Sequence, residues 1–216
     1  AVDAVLNKTG GKLFALFNNG GFGQPGAVED LRRDVLREQF ETNVFGYLEL
    51  TNLILPTMRR QGYGRIIQNS SILGFISLPF RGAYNASKHA LEGLSDTLRM
   101  ELRGTNIYVS IIEPGPIEAK FRQNAYAKYK ENIDAKSSHF HKKYEAMEER
   151  LTKETAPLPF TLPATAVLEK VLQALENSKP KARYYVTFPT YLFVGLKRLL
   201  PGFLLEKLLI SAGTRG

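Results

Sequence analysis

Tyr84 and Lys88 stand four residues apart in the stretch GAYNASKHALEGL. At 3.6 residues per turn they share one helix face, with Cβ atoms about 5–6 Å apart. A phenol titrates near 10, and a cation held beside it favours the phenolate. Such a pair is equipped to take a proton from an alcohol or give one to a carbonyl oxygen. In an isolated helix the same spacing is more often a solvated surface pair, so its meaning depends on its neighbours. Ser71 lies at the end of the apolar run before this helix, and Asn43 lies on the preceding helix. A hydroxyl and an amide delivered to the same mouth would complete a site; taken singly, they are a loop cap and a helix polar group.

The elements that must position these residues alternate along the chain. LFALF (13–17), RIIQ (65–68), IYVSII (107–112) and RYYVTF (183–188) are short apolar runs that end in NNGG, NSS, EPGP and Pro189. Runs of this length, rich in Ile, Val and Phe and bounded by Gly, Pro, Asn and Ser, predict buried strands. Between them lie two long helical patterns. Residues 35–60 carry Leu36, Phe40, Val44, Leu48 and Leu55, and residues 83–103 carry Ala83, Ala86, Ala90, Leu91, Leu94 and Leu98. Strand, helix, strand, helix, strand predicts an α/β domain with a parallel sheet covered by helices. Ligands bind such sheets outside the carboxyl ends of the strands. Here three successive strands end in small and polar residues that permit close backbone approach.

The ordered set NNGG, Asn43, Ser71, YNASK and EPGP resembles the short-chain dehydrogenase/reductase family, from about residue 1 into the 180s. AYNASKHALEGLSDTLRMEL and VSIIEPGPIEAKF are most similar to the branch that holds retinol and hydroxysteroid dehydrogenases. The resemblance implies a Rossmann-like, doubly wound single domain over residues 1–188. It implies Asn43, Ser71, Tyr84 and Lys88 as the catalytic set, with Tyr84 as acid/base, Ser71 polarising the carbonyl oxygen and Asn43 holding a water that passes protons to Lys88. It implies Asn19, Gly20, Gly21, Tyr84, Lys88, Pro114 and Ile117 along the cofactor, NADP by branch and NAD otherwise, with Lys88 bonding the nicotinamide ribose. Two positions depart from the family pattern: its NNAG is NNGG here, and its Thr after PGPI-x is Ala119.

The same resemblance leads one to expect a strand, a TGxxxGxG turn and a helix ahead of these elements, and nothing in the 216 residues matches them. GGKLFALFNNGG lacks the spacing and does not open a helix. Ala1 aligns with the helix before the fourth strand of the family's sheet. The expectation is therefore that the first strands, about 50–70 residues at 30 or more per βαβ unit, belong to a longer protein. LFALF would otherwise be an apolar, uncharged sheet edge.

Composition narrows the remaining choices. There is no cysteine, hence no disulfide, Cys-ligated metal or thiol nucleophile, which suits a cytoplasmic protein. The net charge of +8 is dispersed or interleaved with acids, as in KKYEAMEERLTKE, and does not draw a nucleic-acid stripe. Residues 118–162 occupy the place of a substrate lid, where Phe121, Tyr126, Tyr129, Phe140 and Tyr144 either line an apolar pocket or pack as core. His139 and His141 form HxH without a third ligand, and no metal is expected. The tail, 189–216, is apolar but interrupted by Lys197, Arg198, Pro201 and Glu206, too broken to span a bilayer, though it suits a membrane surface, a pocket cover or a second subunit. The expected partners are a small hydrophobic alcohol, aldehyde or ketone and a second copy, as homodimer or homotetramer. The competing reading is a nucleotide-sensing or scaffold protein of the same fold, which would have no need of all four catalytic residues.

Overall fold

The computed structural model describes residues 1–152 and 160–215. Four parallel strands, β1 (Ala15–Asn18), β2 (Gly64–Asn69), β3 (Ile107–Glu113) and β4 (Arg183–Tyr185), form one sheet in the order β1-β2-β3-β4. Ile66 pairs with Leu16 on one side and Val109 on the other. The inner strands β2 and β3 are buried nearly throughout, which is why they read as continuous Ile and Val runs. One face packs Ile66 and Val109 against Ile54, Met58 and Leu102; the other packs Ile67 and Ile112 against Val171 and Ala174. Helices on both faces make this the expected doubly wound α/β arrangement.

The helices are α1 (Val2–Lys8), α2 (Arg33–Phe40), α3 (Gly46–Gln61), α4 (Gly82–Glu101), α5 (Phe121–Asn132), α6 (His141–Thr152), α7 (Thr165–Glu176), α8 (Phe188–Leu199) and α9 (Gly202–Arg215). A five-residue π turn, Glu41–Phe45, joins α2 to α3. The single helix expected over 35–60 is thus two helices, and its buried stripe differs from the apolar one. Leu36 and Leu48 are exposed, whereas Val35, Gln39, Asn43, Tyr47, Thr51, Ile54 and Met58 are buried. Steps of four residues overshoot an α-helical turn by about 40° each. The wider π turn takes up that drift and keeps 35, 39, 43, 47 and 51 facing inward. A buried stripe this polar is invisible to a search for hydrophobic periodicity.

The strand ends also shift. The Gln61 side chain holds Leu13 at both backbone groups, its Oε1 accepting from the N–H (3.1 Å) and its Nε2 donating to the carbonyl (2.7 Å), so the ladder starts later, at Ala15. The last strand stops at Tyr185 rather than 188, because Phe188 already begins α8 with Pro189 in its first turn. β1 is an edge strand among the described residues, with Phe14 and Phe17 exposed. The tail is a helical hairpin, α8 and α9 broken at Pro201, and no helix among the described residues is long and apolar enough to cross a membrane.

Candidate active site

The carboxyl ends of β1, β2 and β3 meet the first turns of α4 at one mouth of the sheet. Ser71 caps a short 3-10 turn (Ile72–Gly74), its Oγ accepting from the Leu73 N–H at 3.1 Å. That turn is tied to the β3 end, where the Pro114 carbonyl accepts from the Ile72 N–H at 2.8 Å. Ser71 is thereby presented to the first turn of α4. Its hydroxyl sits beside the Tyr84 phenol and, by hydrogen bonding, draws the phenol's pKa down, as does the charge of Arg81. Burial is the larger influence and leaves Tyr84 pushed up to about 12.

Lys88 is buried one turn further along α4, and its Nζ donates to the Asn69 carbonyl at 2.7 Å. The ammonium lies 5.6 Å from the centroids of both the Tyr84 and Tyr47 rings. Burial lowers its pKa to about 8, and the charge of Glu92 opposes that fall. The sequence led us to expect Lys88 to lower the phenol. Ser71 and Arg81 also lower it here, and the Lys88 ammonium, bonded to the Asn69 carbonyl, lies 5.6 Å from the centre of the phenol ring.

Asn43, fully buried in the π turn, grips the loop that follows β1. Its Oδ1 accepts from the Phe22 N–H at 3.2 Å, and its Nδ2 donates to the Phe22 carbonyl at 3.0 Å and to Ser87 Oγ at 3.2 Å. Both amide hydrogens are engaged, leaving one oxygen lone pair. Gln39 supports the same loop, accepting from Gln24 N at 2.8 Å and donating to the Phe22 carbonyl at 2.8 Å. A Cβ on Gly21 would come within 2.9 Å of Asn43 Oδ1, so this position requires glycine, whereas one on Gly20 would meet nothing within 4 Å. The NNAG to NNGG departure therefore costs no packing.

Two residues outside the expected set join these parts. Asn69 donates from Nδ2 to Asn19 Oδ1 at 2.6 Å while its carbonyl holds Lys88, linking β1, β2 and α4. Ser87 accepts from Asn43 and donates to the Tyr84 carbonyl at 2.8 Å. Asn69 was visible as the first residue of NSS; nothing in its type marked Ser87. Ile117 pairs in a single parallel bridge with Leu162 and packs on the second core cluster, so Pro114 and Ile117 flank the β3 end as expected. Gly115 between them has no room for a Cβ, which would strike Thr187 and Thr190.

The lid region divides. Tyr129 and Tyr144 are core, packed with Ala27, Ile133 and Met147, and Tyr144 hydrogen-bonds Asp30. Phe121 instead stands edge-on to Tyr84, ring centroids 5.3 Å apart, and is 41% exposed. His139 packs its ring on Phe140. Residues 153–159 of the expected lid lie outside the described residues.

The family model described as short chain dehydrogenase matches residues 1–130. An uncharacterized oxidoreductase of Escherichia coli, YbbO, is 43% identical over 97% of this chain and 71% of its own length. Human 17-beta-hydroxysteroid dehydrogenase type 1 is 34% identical over 83% of this chain and 54% of its own length. A short chain dehydrogenase/reductase from Burkholderia phymatum, solved in complex with NAD, superposes with a TM-score of 0.70 at 26% identity, covering 89% of this chain and 67% of that one. With its sheet order, its strand-end loops and these likenesses together, the chain belongs to the short-chain dehydrogenase family.

Proposed function

We propose that the protein is an oxidoreductase that transfers a hydride between NADP, or alternatively NAD, and a hydrophobic alcohol or carbonyl, with Tyr84 as its acid/base. The observation that carries this reading is the convergence of Ser71, Tyr84 and Lys88 at the strand ends, with the phenol and hydroxyl in contact. Bound there, the cofactor would supply the hydride. The Asn19–Gly21 loop would lie along it, backed by Asn43, and the Pro114–Ile117 turn would face its nicotinamide. Lys88 spends one of its three donors on Asn69, leaving two for ribose hydroxyls.

In reduction, Ser71 would hold the carbonyl oxygen and Tyr84 would give it a proton; in oxidation the phenolate would take one from the alcohol. A phenol kept protonated by burial is ready for the first of these, and the Lys88 charge would stabilise the anion it leaves. Phe121, edge-on to Tyr84 and 41% exposed, supports an apolar substrate. The lid is proposed within 118–162, with Phe121 its contact to Tyr84.

Tyr84→Phe keeps the ring and removes the proton. Turnover should fall by about 10²–10⁴-fold while NADPH binding, followed by fluorescence, persists. Turnover within tenfold of the parent would sink the assignment.

Self-association is part of the same reading, supported by Phe45, Leu53, Leu94 and Met100 exposed on the π turn, α3 and α4. Sedimentation that finds only monomer at micromolar concentration would refute it. The α8–α9 hairpin, with Leu199 and Phe203 exposed beside Arg198 and Lys207, is proposed to touch membrane surfaces from the cytoplasmic side. Failure to co-sediment with anionic vesicles at low salt would remove that contact.

A further inference from the structure

One turn beyond Lys88 on α4, the chain buries charge that the proposed reaction does not use. Glu92 and Glu113, the latter the last residue of β3, are both buried, and Glu113 is fully so. Arg183, the first residue of β4, reaches them together with Asp96. Its guanidinium lies 2.7 Å from Glu92 Oε2, 2.8 Å from Asp96 Oδ1 and 3.3 Å from Glu113 Oε1. Three carboxyl groups therefore face one guanidinium. Asp96 is the most exposed of the three, is also paired with Arg99, and is held below the usual carboxylate range by its Arg183 hydrogen bonds.

The remaining oxygens are short of donors. Both oxygens of Glu113 lack a hydrogen-bond partner, and Glu92 Oε1 has only the hydroxyl of Ser70, itself otherwise unpartnered, near it. Buried carboxylate oxygens left in this state are costly, and two adjacent carboxyls relieve the cost by sharing a proton. Burial pushes Glu113 up to about 8, and the charge of Glu92 adds to the rise. Burial also raises Glu92, but Ser70 and Arg183 pull it back. Burial and the charge of Glu92 both favour the protonated form of Glu113, whereas Glu92 is the carboxyl paired at 2.7 Å with Arg183 and keeps the negative charge.

Glu92 and Lys88 are four residues apart on one helix, and Glu92 is the opposing charge that resists the fall in the lysine's pKa. The phenols Tyr47 and Tyr84 also face Lys88, and Arg183 pairs with Glu92 through its Oε2. We infer that Glu92 is a positioning residue that keeps Lys88 an ammonium at the candidate active site, with Glu113 carrying the proton that lets the two carboxyls be buried together. This rests on the proposed reaction only for its consequence: an uncharged Lys88 would lose a donor and its hold on the Tyr84 anion.

The test reads Lys88 directly. In cofactor-free protein labelled with ¹³C at lysine Cε, the Lys88 resonance, assigned with Lys88→Arg, is titrated in Glu92→Gln and Glu92→Asp. Glu92→Gln should lower its midpoint by about one unit, roughly a tenfold loss of ammonium at a given pH, and Glu92→Asp should restore most of it. With NADPH and an aldehyde panel, the alkaline limb of kcat/KM should move with that midpoint. A midpoint unchanged in Glu92→Gln, or lowered equally in Glu92→Asp, overturns the inference. If Glu92→Gln does not fold, Glu113→Gln decides: its amide still donates to Glu92, so the Lys88 midpoint should hold or rise, and a fall overturns the proposal. Turnover surviving Tyr84→Phe while the Lys88 midpoint moves in Glu92→Gln would refute the reaction and leave the charge coupling standing.

Discussion

Lys88 lies between two buried polar regions built on opposite terms. On its mouth side Asn43, Ser87, Asn69 and Asn19 form a neutral net of amides and hydroxyls, bonded to one another and to the backbone at 2.6–3.2 Å. Further along α4 lie Glu92, Glu113, Asp96 and Arg183, a charged cluster with carboxylate oxygens left without donors. Neutral groups do not titrate and so fix geometry with little response to pH, even where one oxygen, Asn69 Oδ1, lacks a partner. Charged groups short of donors respond strongly to it. The contrast teaches that one helix uses the first kind of burial to hold a loop and the second to set the charge of a side chain.

Mutations can break the comparison from either side. The largest expected effect is Arg183→Met, which leaves three carboxyls without their guanidinium and should cost about 3 kcal/mol or more in urea unfolding. The loss should be smaller at pH 5 than at pH 8, since Glu113 is protonated at the lower pH. A pH-independent loss would show that the cluster is held by packing. Asn43→Ala orphans the Phe22 N–H and removes one of the two donors to its carbonyl, which Gln39 still holds, and should cost about 2 kcal/mol, equally at pH 5 and pH 8. A pH-dependent loss there would erase the distinction between the regions. Ser87→Ala removes a single link of the neutral net, and about 1 kcal/mol is expected.

A pH-dependent difference carries the clearest sign. The carboxyl of Glu113 is raised in the fold from 4.5 to about 8, so its protonated form stabilises the native state. That contribution is complete below pH 4.5 and is lost as pH climbs through about 8. Glu113→Gln stays neutral throughout and should gain on the parent between pH 5 and pH 8, by about 3 kcal/mol if the whole shift is expressed, read as a Tm difference that widens with pH. A thermal melt in which the parent gains instead would reverse the assignment of the shared proton.

The catalytic set and half of the neutral region, Asn19 and Asn43, were legible in the sequence; Ser87 and the charged region were not. Asn19, Ser71, Tyr84 and Lys88 stand at strand ends or at one-turn spacing, and local pattern finds such places. Glu92 and Glu113 read as a helix residue and the start of EPGP. Their meeting depends on parallel pairing that sets Ile111 beside Arg183, more than seventy positions away, and no local pattern reports it. The α2–α3 stripe misled for a related reason. Hydrophobicity points to Leu36 and Leu48, but the buried face is spent on Gln39, Asn43 and Thr51, which hold loops rather than fill a core.

The π turn at Glu41–Phe45 has an evolutionary consequence. An α-helix would need one residue fewer there, so a single-residue deletion would let α2 and α3 fuse into a regular rod with every backbone bond made. Fusion would swing Val35 and Gln39 about 100° away from Tyr47 and Thr51 and release the loop that Gln39 holds. The change easiest for the helix is therefore ruinous for the mouth of the sheet. The exposed positions Glu41 and Thr42 are free to drift between lineages, but Asn43 and the segment's length are not, and descendants that keep the site should align through it without a gap.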